Sequence, residues 1–268
     1  MPSKKSLVIE ELFKICLRKN DFIFHNNLVK EVSKTHEFGN PFDATKLDKK
    51  TKIPKLLLDM DYTVIHLGNG YHKFVQGIDK VFHNFEPILE TINWNYRKSL
   101  LNMYNASESN ILSVANNQRI LHHFLFNQDT EFDDIDITKR PKTYFPHRTK
   151  TSFEYNFGNC TSIVCKNLQI EIDVTIEYQG TVCVFEGKKG KINNFNIFQI
   201  YHPFLYYYTT SKSKNLNEIK KIVCVYVVHQ KNKGNNKIFL WLYTFENPFD
   251  VKSITLLKST EYNLIMDT

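Results

Sequence analysis

Apolar residues recur at three- and four-residue spacing near the start of the chain, at Leu7, Ile9, Leu12, Phe13, Ile15, Cys16 and Leu17. That period places them on one wide face and predicts a helix over residues 5–19, ended by Asn20 and Asp21. A second short helix is expected over 26–35, opened by an Asn cap. Gly and Pro then interrupt the chain, and a third helix is expected within 43–60, started or kinked by Pro54. Next the period changes to two. Alternating runs at 62–67 and 71–76 flank Gly68-Asn69-Gly70, a hairpin signal. Residues 84–127 return to helical spacing, and His122-His123 on that stretch reads as a surface or core pair. Residues 128–150 pass from an acidic to a basic cluster with two prolines and read as an irregular connection. Strands are expected at 162–166, 169–178, 181–188, 221–229 and 237–245, with a helix at about 194–209. Residues 253–268 are ambiguous.

Three short helices followed by a hairpin is the order of a winged helix. Lys46, Lys49, Lys50, Lys52 and Lys55 lie on the third helix and its approach, and His72 and Lys73 are expected at the hairpin tip. In a winged helix the third helix enters the major groove and the hairpin touches the backbone. The alternative is a solvated lysine-rich helix beside an unrelated hairpin. The expected organisation is a DNA-binding domain at 1–80 and a second domain at 81–268. The second has a helical lead-in at 84–127 and a sheet over 160–245. The class is α/β (α+β).

The stretch from Gln169 to Glu177 alternates strictly, with Ile170, Ile172, Val174 and Ile176 apolar. Glu171, Asp173, Thr175 and Glu177 therefore share one strand face. A two-residue turn at Gln179-Gly180 sets Tyr178 opposite Thr181. Continued outward, Asp173 faces Glu186 and Glu171 faces Lys188. Directly paired Cβ atoms are ~4.5–5.5 Å apart. Two carboxylates that close repel unless a cation lies between them. The second strand, with Val182, Cys183, Val184 and Phe185, is apolar on both faces, as a central strand is. Glu186 and Lys188 end that buried run, where a charge needs a partner or a metal. Carboxylate oxygens suit Mg²⁺, and a lysine two residues on can orient water or stabilise charge on a phosphate. The alternative is a cross-strand ion-pair patch on a solvated sheet face.

The net charge is +7, which permits nucleic acid or an anionic membrane as partner without selecting either. Five cysteines, at 16, 160, 165, 183 and 224, include no CxxC and read as reduced, mostly buried thiols of a cytoplasmic protein. No zinc spacing occurs. Acids at Glu10 and Glu11 exclude a signal peptide, and no apolar run approaches the ~20 residues of a membrane span.

Asp173 followed by Glu186-Gly187-Lys188 on the next strand resembles the PD-(D/E)XK nuclease family. The Pro-Asp dipeptide is absent, with Ile172 before the acid. "FNIFQIYHPFLYY" at 195–207 is similar to the segment after the catalytic lysine in a group of type II restriction endonucleases, through Gln199, Tyr201 and Pro203. The resemblance covers mainly 147–210. It implies a mixed-sheet nuclease core flanked by helices, behind an N-terminal winged helix. It implies that Asp173 and Glu186 hold Mg²⁺ and that Lys188 is the catalytic lysine. Glu171 would assist the metal or pair with Lys188, and Gln199 would contact the site from its helix. The implied activity is hydrolysis of double-stranded DNA by a site-specific endonuclease, with a homodimer matching palindromic sites. Lys49, Lys50, Lys52, Lys55, His72, Lys73, Arg148 and Lys189 are the expected DNA contacts. Two alternatives remain open: a repair or recombination nuclease of the same family, and a non-catalytic winged-helix regulator.

Overall fold

The computed structural model describes residues 2–97, 100, 107–127, 136–158, 161–232 and 235–267. Helix α1 (Lys4–Lys19) is capped by Ser3, whose side chain accepts the Ser6 N–H, and it buries Val8, Ile9, Leu12, Phe13 and Cys16. After β1 (Ile23–His25), α2 (Asn26–Thr35) is capped by His25 and not by an Asn. The His25 imidazole Nδ1 accepts the Asn27 N–H. The expected third helix is divided into α3 (Pro41–Ala44), a 3₁₀ turn at Lys50–Lys52 and α4 (Lys55–Asp59). Pro54 sets the last break: Ile53 before it is extended, as a residue preceding proline prefers. Strands β2 (Tyr62–Gly68) and β3 (Tyr71–Gln76) form the hairpin, and β1 adds to β3 in a three-stranded sheet.

Beyond β4 (Phe82–Asn84), β5 (Glu90–Arg97) replaces the first part of the expected helical lead-in. Ile92, Trp94 and Tyr96 alternate with polar residues there, a period of two inside a window read at 3.6. The stretch expected as one further helix is helical but divided, into α5 (Glu108–Asn117) and α6 (Ile120–Phe126), with the break at Arg119, whose φ is positive. The expected irregular connection also differs: β6 (Lys142–Tyr144) and the start of β7 (His147–Asn156) lie within it. Then come β8 (Ser162–Ile172), β9 (Val174–Tyr178), β10 (Thr181–Lys189), β11 (Asn194–Asn196) and α7 (Phe198–Ser213). The chain finishes with β12 (Lys221–Asn232), β13 (Asn235–Phe245) and β14 (Ile254–Asp267), the last over the stretch left ambiguous in sequence.

The class is mixed α+β. Among the described residues the main sheet has seven strands in the order β5-β14-β13-β12-β10-β9-β6. It is mixed: β10 runs parallel to β12, and β14 parallel to β5. Alternation along β10 and β12 divides the core. Val182, Val184, Cys224 and Tyr226 join the cluster under α7, which continues through Leu168 and Val64 to Phe13 of α1. Cys183, Phe185, Val223 and Val225 face the other way, onto Ile111, Leu121 and Phe124 of α5 and α6. The His pair belongs to that second layer: His122 is buried, and His123 Nδ1 meets the Tyr262 hydroxyl at 2.7 Å. Cys16, Cys165, Cys183 and Cys224 are buried free thiols, and Cys160 lies outside the described residues. Among the described residues no helix is long and apolar enough to cross a membrane.

Candidate functional site

The β9–β10 hairpin turns at Gln179-Gly180, both with positive φ, and pairs Tyr178 with Thr181 and Val174 with Phe185. The ladder stops there. The expected strand 169–178 is two strands bent at Asp173, with β8 paired to β7 and β9 to β10. At the bend Asp173 makes the next contact with its side chain: Oδ2 accepts the Gly187 N–H at 3.2 Å. The acid thus stays against the residue following Glu186.

Strand β10 is central, flanked by β9 and β12, and its polar end carries Glu186 and Lys188. Their side chains are only 12% and 16% exposed, so each charge needs compensation. Lys188 Nζ lies 2.9 Å from Glu186 Oε1, and Gln199 Nε2 on α7 donates to the same oxygen at 2.8 Å. Gln199 Oε1 in turn accepts the Tyr226 hydroxyl at 3.1 Å. Tyr226 is the direct partner of Glu186 on β12. Sequence reasoning missed Tyr226, because it sits in an apolar run with nothing polar to mark it. Asp173, Glu186, Lys188 and Gln199 line one cavity of about 320 Å³, with Glu171 at its rim.

Glu171 does not face Lys188. The bend assigns it to β8, where it pairs with Arg148 of β7 and accepts its Nε–H at 2.8 Å. Arg148 is therefore held near the cavity as the partner of an acid.

The expected DNA contacts are not equivalent. His72 is buried, with Nδ1 3.0 Å from His66 Nδ1 and Nε2 2.8 Å from Asn26 Oδ1. Burial, and then the neighbouring His66, push its pKa down to about 3, so it carries no charge for a phosphate at neutral pH. The hairpin tip is docked as well. A Cβ on Gly68 would lie 2.0 Å from the Lys166 carbonyl oxygen, and Asn69 Oδ1 accepts from Asn167 Nδ2. The tip therefore packs on β8 and does not project into solvent. Lys50 is paired to Asp79 and Lys52 to Asp48, both at 2.7 Å. Lys55 is exposed at the start of α4, Lys49 is half-buried, and Lys73 is half-buried on β3. Lys189 is exposed at the end of β10.

A larger groove of about 640 Å³ separates the N-terminal helices and hairpin from β8, and it shares Gln169, Glu171, Asn196, Phe198 and His202 with the cavity. His202 is buried behind them, stacked on Phe198 at 4.7 Å and bonded to the Tyr155 hydroxyl at 3.2 Å.

The donor set is two carboxylates beside an ammonium and an amide. Among the described residues no group of three His, Cys, Asp or Glu comes together as a metal site. Two carboxylates on the wall of a polar cavity are oxygen donors of the kind Mg²⁺ accepts, an ion that keeps several waters, and do not make the full protein cage other metals need.

No curated protein and no solved structure matches the chain. A family model described as a domain of unknown function (DUF6996) matches residues 6–74, and another so described (DUF6997) matches residues 77–263. The second covers more than half of the 268 residues, and the chain belongs to the DUF6997 family.

Proposed function

We propose that the protein is a Mg²⁺-dependent endonuclease acting on duplex DNA, of the PD-(D/E)XK type, with an N-terminal winged helix. The observation that carries this reading is the convergence of Asp173, Glu186 and Lys188 in one polar cavity, at the end of a buried central strand. A structural ion pair needs no second acid and no cavity. A phosphate-cleaving site that works through a carboxylate-held metal uses both.

Asp173 and Glu186 would hold the ion, which when bound offsets charge on the phosphate and makes a bound water more acidic. Lys188 keeps its ammonium at the cavity wall, where it orients the attacking water or stabilises charge growing on the phosphate oxygens. Gln199 fixes the Glu186 carboxylate, and Tyr226 fixes Gln199. The winged-helix reading rests on the order of α1, α2, the broken third helix and the β2–β3 hairpin. With the hairpin tip docked on β8, backbone contact would fall to Lys46, Lys49 and Lys55 and to the basic β7 edge. A site with two-fold symmetry would be met by a homodimer.

The test is cleavage of unmodified duplex DNA with Mg²⁺ or with EDTA, beside Lys188→Ala. The wild type should cut only with metal, and the variant should be at least about 10²-fold slower. Failure of the wild type to cut with any divalent ion would falsify the reading.

A further inference from the structure

The groove between the N-terminal module and β8 is larger than the cavity with which it shares residues. Asp173, Glu186 and Lys188 line the cavity alone, while Gln169, Glu171 and Asn196 line both. The groove adds two lysines and further carboxamides, among them Asn26, beside apolar and aromatic side chains. Lys46 lies on the N-terminal side, and Lys150 lies on β7 directly opposite Gln169 of β8. Both lysines and Gln169 are exposed. Asn26 forms part of the wall, and its Oδ1 is held by His72 Nε2 at 2.8 Å, so this amide is fixed in place.

The strand itself connects the two spaces. Gln169 and Glu171 line both, and Asp173 follows at the bend. Gln169 is four residues before Asp173, at most about 13 Å along a strand rising ~3.3 Å per residue. At ~3.4 Å per base pair that is a reach of about four steps. Carboxamides are the side chains that pair with adenine edges, and flanking lysines are what phosphates require.

We propose that this groove is the sequence-reading element of the protein: Lys46 and Lys150 hold duplex DNA by its phosphates, and Gln169 and Asn26 read base edges within about four pairs of the cut. The assignment of the cut rests on the nuclease reading. The assignment of the groove to DNA does not, and the experiment separates them.

The full chain is mixed with duplex DNA in EDTA, where no cleavage is needed, and binding is followed by fluorescence anisotropy against salt. Lys46→Ala/Lys150→Ala should weaken binding at least tenfold and flatten the log–log salt slope by about 2. In parallel, the wild type and Gln169→Ala each select from a randomised duplex pool. The wild type should enrich a sequence, and Gln169→Ala should lose the preference at one or two positions. Unchanged affinity and slope in the double variant would overturn the proposal. So would a wild type that enriches nothing, or one that prefers duplex RNA. If these binding results hold and no divalent metal supports cutting, the nuclease reading falls and the groove stands. If the protein cuts and the groove variants behave as wild type, the groove falls alone.

Discussion

Glu186 is the residue on which the site turns, because two donors share one of its oxygens. Gln199→Leu removes one donor to Glu186 and the acceptor of the Tyr226 hydroxyl. A lost hydrogen bond to a charged group costs about 1.5–3 kcal/mol, so its unfolding midpoint in urea should fall. Tyr226→Phe removes only the outer link and should cost about 1 kcal/mol. If the network positions the carboxylate, both variants also slow cleavage, in that order. Equal stability in Gln199→Leu and wild type would remove Gln199 from the network. That Glu186 and Lys188 lie together was legible because charge at the end of an apolar strand is costly and conspicuous, and that Asp173 lies near them was legible from strand alternation and the turn at Gln179-Gly180. Tyr226 was not legible, since a tyrosine among valines looks like core. His72 shares a strand face with Phe74, so the alternation that buries Phe74 buries the imidazole too.

At the scale of elements, the β2–β3 hairpin matters more for what its tip rests on than for its shape. Gly68 has φ +84 and sits against the Lys166 carbonyl. Gly68→Ala would combine left-handed strain with a backbone clash, and it should destabilise the protein by at least about 2 kcal/mol, read in a urea titration. A near-neutral result would mean that the docked tip is not held as described. The hairpin, α1 and the β9–β10 register were readable from period and turn residues, which are local. The division of 169–178 at Asp173 was not. Alternation continues unbroken across the bend, while the hydrogen-bonding partner changes from β7 to β10. Partner choice is a long-range property, and a two-residue period does not encode it.

At the scale of the whole molecule, buried neutral imidazoles couple stability to pH. Burial holds His72 and His202 each at about 3. Unfolded, each titrates near ~6.5. Between those values the unfolded chain binds more protons, so stability is full above about pH 6.5 and falls as pH drops toward 3. Each group contributes about 1.4 kcal/mol per pH unit in that window. Urea midpoints should therefore fall steeply from pH 7 to pH 5, and His72→Gln should flatten the slope. A flat profile across that range would show that these rings are not held neutral.

The sheet order has a consequence in time. Strand β14 lies between β13 and β5, so the pairing of 90–97 waits for 254–267. During synthesis β5 is made early, and until β14 arrives it presents Ile92, Trp94 and a row of open amides to whatever else is nearby. The newborn chain thus passes through an interval in which its own rim is adhesive, and a chaperone that covers residues 90–97 would act during that interval.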